Sequence, residues 1–223
     1  PEKSAMIPVV NITDHAANYI LNLARTSLAA VVSKINRSGQ PNSFVIPTNF
    51  KAEFGTNAAP LADPNILGYL EGTDKKHEIV VIGGHYDHDG IDSKGNIFFC
   101  ADDNASGTTA VLELARAFSS AKAAGNGPRR SILFITYAAE EKGLLGSKFY
   151  TENPIFPLKN TVACINIDMI GRVDDKHLKG NHDYIHAIGS DKLSSELYQI
   201  NKNENEKHTK LEIDYMYDNP KDP

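Results

Sequence analysis

Residues 131–138, SILFITYA, form an apolar run of strand length without a charge, and residues 161–167, TVACINI, form another. Continuous rather than alternating apolar character marks a strand covered on both faces, which requires helices above and below the sheet. The flanking sequence supplies them. Residues 106–121 place Ala110, Val111, Leu114, Ala115 and Phe118 on one helical face, and residues 191–203 read as a second helix. Ahead of these, residues 66–70 and 79–84 read as strands around the polar turn 72–76, which predicts an antiparallel hairpin; residues 184–188 are a shorter fifth candidate. The expected fold is a three-layer α/β/α sandwich with a mixed, mostly parallel central sheet.

The first quarter of the chain has a different texture. Residues 14–36 repeat apolar side chains at three-and-four spacing, from Ala17 and Ile20 to Val32 and Ile35, predicting one amphipathic helix capped by Thr13 or Asp14. Residues 43–54 look extended, and the Ala/Pro/Asn-rich stretch 56–65 is the candidate boundary. In 223 residues this allows one sizeable core with some additional material.

Composition narrows the partners. A net charge of −5 without a basic cluster gives no support to nucleic-acid binding, and no apolar run reaches the length of a membrane span. Two cysteines, Cys100 and Cys164, are too few for a disulfide framework, and their apolar settings suggest buried thiols.

The chemistry is concentrated where the strands stop. In an open α/β sheet, ligands bind beyond the carboxyl ends of the strands. Residues 79–84 run into His85-Tyr86-Asp87-His88-Asp89; residues 98–101 run into Asp102-Asp103; residues 131–138 run into Glu140-Glu141; residues 162–167 run into Asp168. Each cluster alone has an ordinary reading: Asp103, Asn104 and Ser106 suit a helix cap, the glutamates a solvated loop, His85 a satisfied core position. Together on one edge they would repel one another unless a cation neutralised them. Imidazole with carboxylate and no thiolate suits zinc, manganese or cobalt less well, and so many carboxylates suit a pair of ions. In an extended segment, one glutamate of the pair would face metal and its neighbour the water beside it. In His85-x-Asp87, the carboxylate two residues on can orient the imidazole.

The ordered motifs GGHYDH, CADDNASG, TYAAEEKGLLGSKFY and NIDMIGR closely resemble the co-catalytic zinc aminopeptidases of the bacterial leucyl and aminopeptidase Y type, over roughly residues 65–200. That resemblance implies a zinc-peptidase (phosphorylase/hydrolase-like) fold and two Zn2+ ions. His85 and Asp168 would hold one zinc, Glu141 would belong to the second, and Asp102 would bridge them. Glu140 would be the general base and Asp87 the orienting carboxylate. The implied activity is removal of N-terminal residues from peptides with a free N-terminus, with export (secreted or periplasmic) as the implied location. Residues 1–55 would be the return from a protease-associated-type insert, and residues 56–223 the catalytic domain. The second zinc's histidine has no match before Pro223, so the resemblance implies a C-terminally truncated domain whose second zinc site is incomplete, with two zincs in the intact enzyme and one or none in this chain. Carboxypeptidases, glutaminyl cyclases and non-catalytic receptor-like domains share similar motifs and are the alternatives.

Overall fold

The computed structural model describes residues 10–49, 51 and 62–218; residues 56–61 of the expected boundary lie outside them. The chain divides into two compact units, Pro1–Pro60 and Leu61–Pro223.

In the first unit, two helices replace the single one expected: α1 (Asp14–Asn22) and α2 (Leu28–Ser38). Thr13 caps α1 through its hydroxyl, which accepts from the Ala16 N–H, and Ser27 caps α2 in the same way from Ala30. The break falls where Arg25 takes φ 53° and where the Asn18 side chain accepts from the Leu28 N–H at 2.8 Å. The apolar spacing continues across the turn, which is why periodicity alone joins the two helices. Residues 43–49, expected to be extended, belong to no strand.

The second unit is built on a four-stranded sheet. Its strands are β1 (Ile66–Leu70), β2 (Lys75–His85), β3 (Arg130–Tyr137) and β4 (Thr161–Asn166), in the order β1-β3-β2-β4. β3 and β4 run parallel to β2, whereas β1 is antiparallel to β3. The expected β1–β2 hairpin is therefore replaced by a split pair with β3 inserted between its strands. Ser131 at the start of β3 organises this: its hydroxyl accepts from the Gly72 N–H at 3.0 Å and donates to the Lys76 carbonyl at 2.7 Å. A Cβ on Gly72 would stand 2.4 Å from the Arg129 carbonyl oxygen, so the chain can pass over β3 only with glycine there.

Alternation along the inner strands separates two apolar layers. Ile82, Ile132 and Phe134 pack with Val111, Leu114 and Phe118 of α3 (Ala105–Ala123). On the other face, Ile79, Val81, Leu133 and Ile135 pack with Tyr150 of α4 (Leu145–Glu152), a helix the sequence reading did not identify, and with Phe156. The three-layer, mixed sandwich is thus present. β3 is covered on both faces as its run of apolar residues requires; β4, expected to be covered likewise, is the edge strand and mostly exposed. Cys164 on β4 is exposed and Cys100 half-buried, and both are free thiols. The candidate fifth strand, β5 (Tyr184–His186), pairs in parallel with β6 (Glu212–Asp214) in a separate small sheet, with α5 (Ser195–Glu204) between them in sequence. Among the described residues no helix is long and apolar enough to cross a membrane.

Candidate metal centre

Because β2, β3 and β4 are parallel, their carboxyl ends reach the same edge of the sheet. His85, the last residue of β2, is 3% exposed. Its carbonyl accepts from the Thr108 hydroxyl at 2.6 Å, which ties the strand end to α3. Its Nδ1 lies 3.1 Å from the Asp87 carbonyl oxygen and 3.6 Å from Asp87 Oδ1. A carbonyl can only accept, so Nδ1 donates to it and Nε2 faces the other way. Three carboxylates wait there: Asp103 Oδ1 at 3.2 Å, Asp168 Oδ2 at 3.5 Å and Glu140 Oε2 at 4.0 Å. Three carboxylates gathered at one ring repel one another without a cation among them, and His85, Asp103 and Asp168 bring ligand atoms within 4.8 Å of one another.

A second group adjoins the first. His88 Nδ1 is 2.9 Å from Glu141 Oε1, and His88, Asp103 and Glu141 also converge within 4.8 Å. Asp103 belongs to both groups. The donor set of each is imidazole plus carboxylate, which fits zinc.

Asp102 stands elsewhere. Its Oδ1 accepts from the Gly171 N–H at 2.7 Å, and its Oδ2 pairs with Arg172 Nε at 2.9 Å. The carboxylate common to both groups is that of Asp103, one position after the Asp102 expected to bridge them. The reason lies in the cap of α3. Asn104, 1% exposed, caps the helix through the Gly107 N–H and donates to the Ile167 carbonyl at 2.9 Å. Adjacent side chains diverge on the turn leading to that cap, so one aspartate faces the residue 170–172 loop and the next faces the sheet edge. His88 is the residue that sequence reasoning left unassigned; its only signal was an imidazole three positions after His85 in the same loop.

Asp87 does more than approach His85. Its two carboxylate oxygens accept from the N–H groups of Glu140 and Glu141, at 2.9 and 3.2 Å. The glutamates sit on a tight turn rather than the expected extended segment: Ala139 has φ 54°, and the Glu140 carbonyl accepts from both Gly143 and Leu144. The turn still parts them, Glu140 toward His85 and Glu141 toward His88. Burial, followed by the charges of Glu141, Asp168 and Asp87, raises the Glu140 pKa against the opposing pull of His85. Asp168 is raised in the same manner, by burial first and then by Asp103 and its neighbours. Beside these groups lies a cavity of about 220 Å³, closed by Tyr137, Leu144, Ser147, Cys164 and Asn166.

Residues 65–219 match the sequence model of Peptidase family M28, and the chain belongs to that family. Aminopeptidase NAALADL1 of Mus musculus is 31% identical over 166 residues, covering 70% of this chain and 21% of that protein. A probable zinc metalloprotease of Pyrenophora tritici-repentis is 36% identical over 115 residues, 50% of this chain and 25% of its own length. The solved Legionella pneumophila LapA aminopeptidase is 27% identical, with 67% of this chain and 36% of that one covered and a TM-score of 0.49. The chain therefore spans 13–25% of the length of the curated relatives it matches.

Proposed function

We propose that this chain carries the two-zinc centre of an aminopeptidase, with His85, Asp103 and Asp168 holding one ion, His88, Asp103 and Glu141 the other, and Glu140 as general base. The observation that carries the reading is Asp103: one carboxylate common to two ligand groups, with Glu140 against the first. Zinc held there supplies Lewis acidity and lowers the pKa of water toward neutrality. Glu140 takes the proton of the attacking water and delivers it to the departing amine. The Asp87 hydrogen bonds to the 140–141 backbone hold it in place. Peptides with a free N-terminus fit the anionic surroundings, where Asp168 and Glu140 can pair with an ammonium group; the name borne by the mouse relative agrees with that substrate class.

The test is Glu140→Gln, assayed on an aminoacyl anilide with zinc content measured alongside. Removing the base keeps the ligands, so zinc content is expected to hold while turnover falls by about 10²–10⁴-fold. Unchanged turnover would remove Glu140 from the mechanism.

A further inference from the structure

We infer that Asp174, His177 and His186 form a third, structural site for a divalent cation of the zinc type, sharing no residue with the candidate centre. His177 Nδ1 lies 2.8 Å from Asp174 Oδ1, and His186 Nε2 lies 2.7 Å from Asp174 Oδ2. One ligand atom from each of the three falls within 4.8 Å of the others.

The groups are fixed before any ion arrives. His177 is 6% exposed and stacks on Tyr184 at 3.6 Å with 13° between the rings. His186 meets Tyr217 edge-on at 5.1 Å. The Asp174 N–H donates to the Tyr184 hydroxyl at 2.8 Å, and the His177 N–H donates to Asp174 Oδ1 at 2.9 Å. The side-chain bond from His186, joined by that from His177, holds the Asp174 carboxyl well below the usual carboxylate range, so it is an anion at neutral pH.

The far sides of the two rings carry the second, independent observation. His177 Nε2 and His186 Nδ1 each lie 3.9 Å from Asp214 Oδ2, and His186 Nδ1 is buried without a hydrogen-bond partner. Metal-bound histidine directs its remaining N–H at an outer carboxylate, which sets the tautomer and strengthens the ligand. Without an ion both rings donate to Asp174; an ion would move each proton to the far nitrogen, and Asp214, 3.9 Å from both, is the carboxylate that faces them there. Lys176, at 2.5 Å, balances its charge, and the Met216 N–H holds its other oxygen. Two imidazoles and a carboxylate without thiolate select zinc, cobalt or nickel over calcium or magnesium. An ion there would fasten the 174–177 turn to β5 and, through Asp214, to β6.

The site is tested with zinc alone. A chain carrying His85→Ala and Asp103→Ala, stripped of metal, is expected to bind about one zinc in equilibrium dialysis. Adding His186→Ala should abolish that binding, and Asp214→Asn should weaken it by about 10–100-fold. A folded double variant that binds no zinc overturns the inference. Should that variant fail to fold, ring resonances of the unsubstituted chain decide: zinc must shift those of His177 and His186, and static signals from both overturn the site. Either failure leaves the candidate centre untouched, because its own zinc is read at His85 and His88.

Discussion

Asp102 and Asp103 differ by one position and stand in different surroundings, which makes them the sharpest test of the centre. Asp103→Ala takes a ligand from both groups and is expected to abolish tight zinc binding at both. Asp102→Ala removes the acceptor of the Gly171 N–H and the partner of Arg172, so it should cost about 1 kcal/mol of stability while zinc content stays near that of the unaltered chain. Metal analysis and chemical denaturation of the pair check this; equal loss of zinc in both would assign Asp102 to the centre. Asp87 belongs to a third kind. It accepts two charge-assisted hydrogen bonds from the glutamate turn, so Asp87→Ala is expected to cost about 2–3 kcal/mol and to weaken zinc binding without removing a ligand. An Asp87→Ala chain with unaltered denaturation would exclude the anchoring role.

Among the elements, those fixed by their own residues were legible in the sequence. β3 announced itself through the uncharged run 131–138, α3 through its apolar face, and the strand-end acids through their order along the chain. What depended on distant partners was not legible. The turn at 72–76 predicts a hairpin locally, yet Ser131, some 60 residues on, places β3 between the two strands. The choice between two adjacent aspartates rests on Asn104 reaching the Ile167 carbonyl across the fold. That same contact makes Gly107 a sensitive position. A Cβ there would meet the Ile167 carbonyl oxygen at 2.2 Å and Asn104 Oδ1 at 2.3 Å. Gly107→Ala must push α3 away from the end of β4, with an expected loss of about 1–3 kcal/mol and looser zinc binding, since Asp103 and Asp168 sit on either side of that contact. Denaturation midpoints and zinc titration read both effects, and an unperturbed variant would show that α3 can shift freely.

For the molecule as a whole, the centre is a liability without its ions and a clamp with them. Three strand ends and the start of α3 carry carboxylates that face one another, and Glu140 and Asp168 have pKa values raised by burial and by neighbouring charge. A carboxyl raised in the folded state binds its proton more tightly there than in the unfolded chain, whose value is about 4. The contribution to stability is therefore greatest below that value and is lost as pH rises through the raised one. Asp174, whose pKa is lowered by the His186 and His177 bonds, changes stability in the other direction and only below about 4, outside this window. Metal-free chain should thus lose stability as pH rises above about 4, and Glu140→Gln, which cannot ionise, should lose less. Zinc reverses the sign of the electrostatics, because a ligand bound only by the folded state adds about 2.7 kcal/mol per site at a hundredfold excess over its Kd. Urea denaturation of the unaltered chain and the Glu140→Gln variant, with chelator and then with zinc at pH 5 and 7, separates the two contributions. The expected result is a smaller pH dependence in the variant when metal is absent and a large zinc stabilisation in both; identical pH profiles in chelator would show that Glu140 does not share in the repulsion that the zinc relieves.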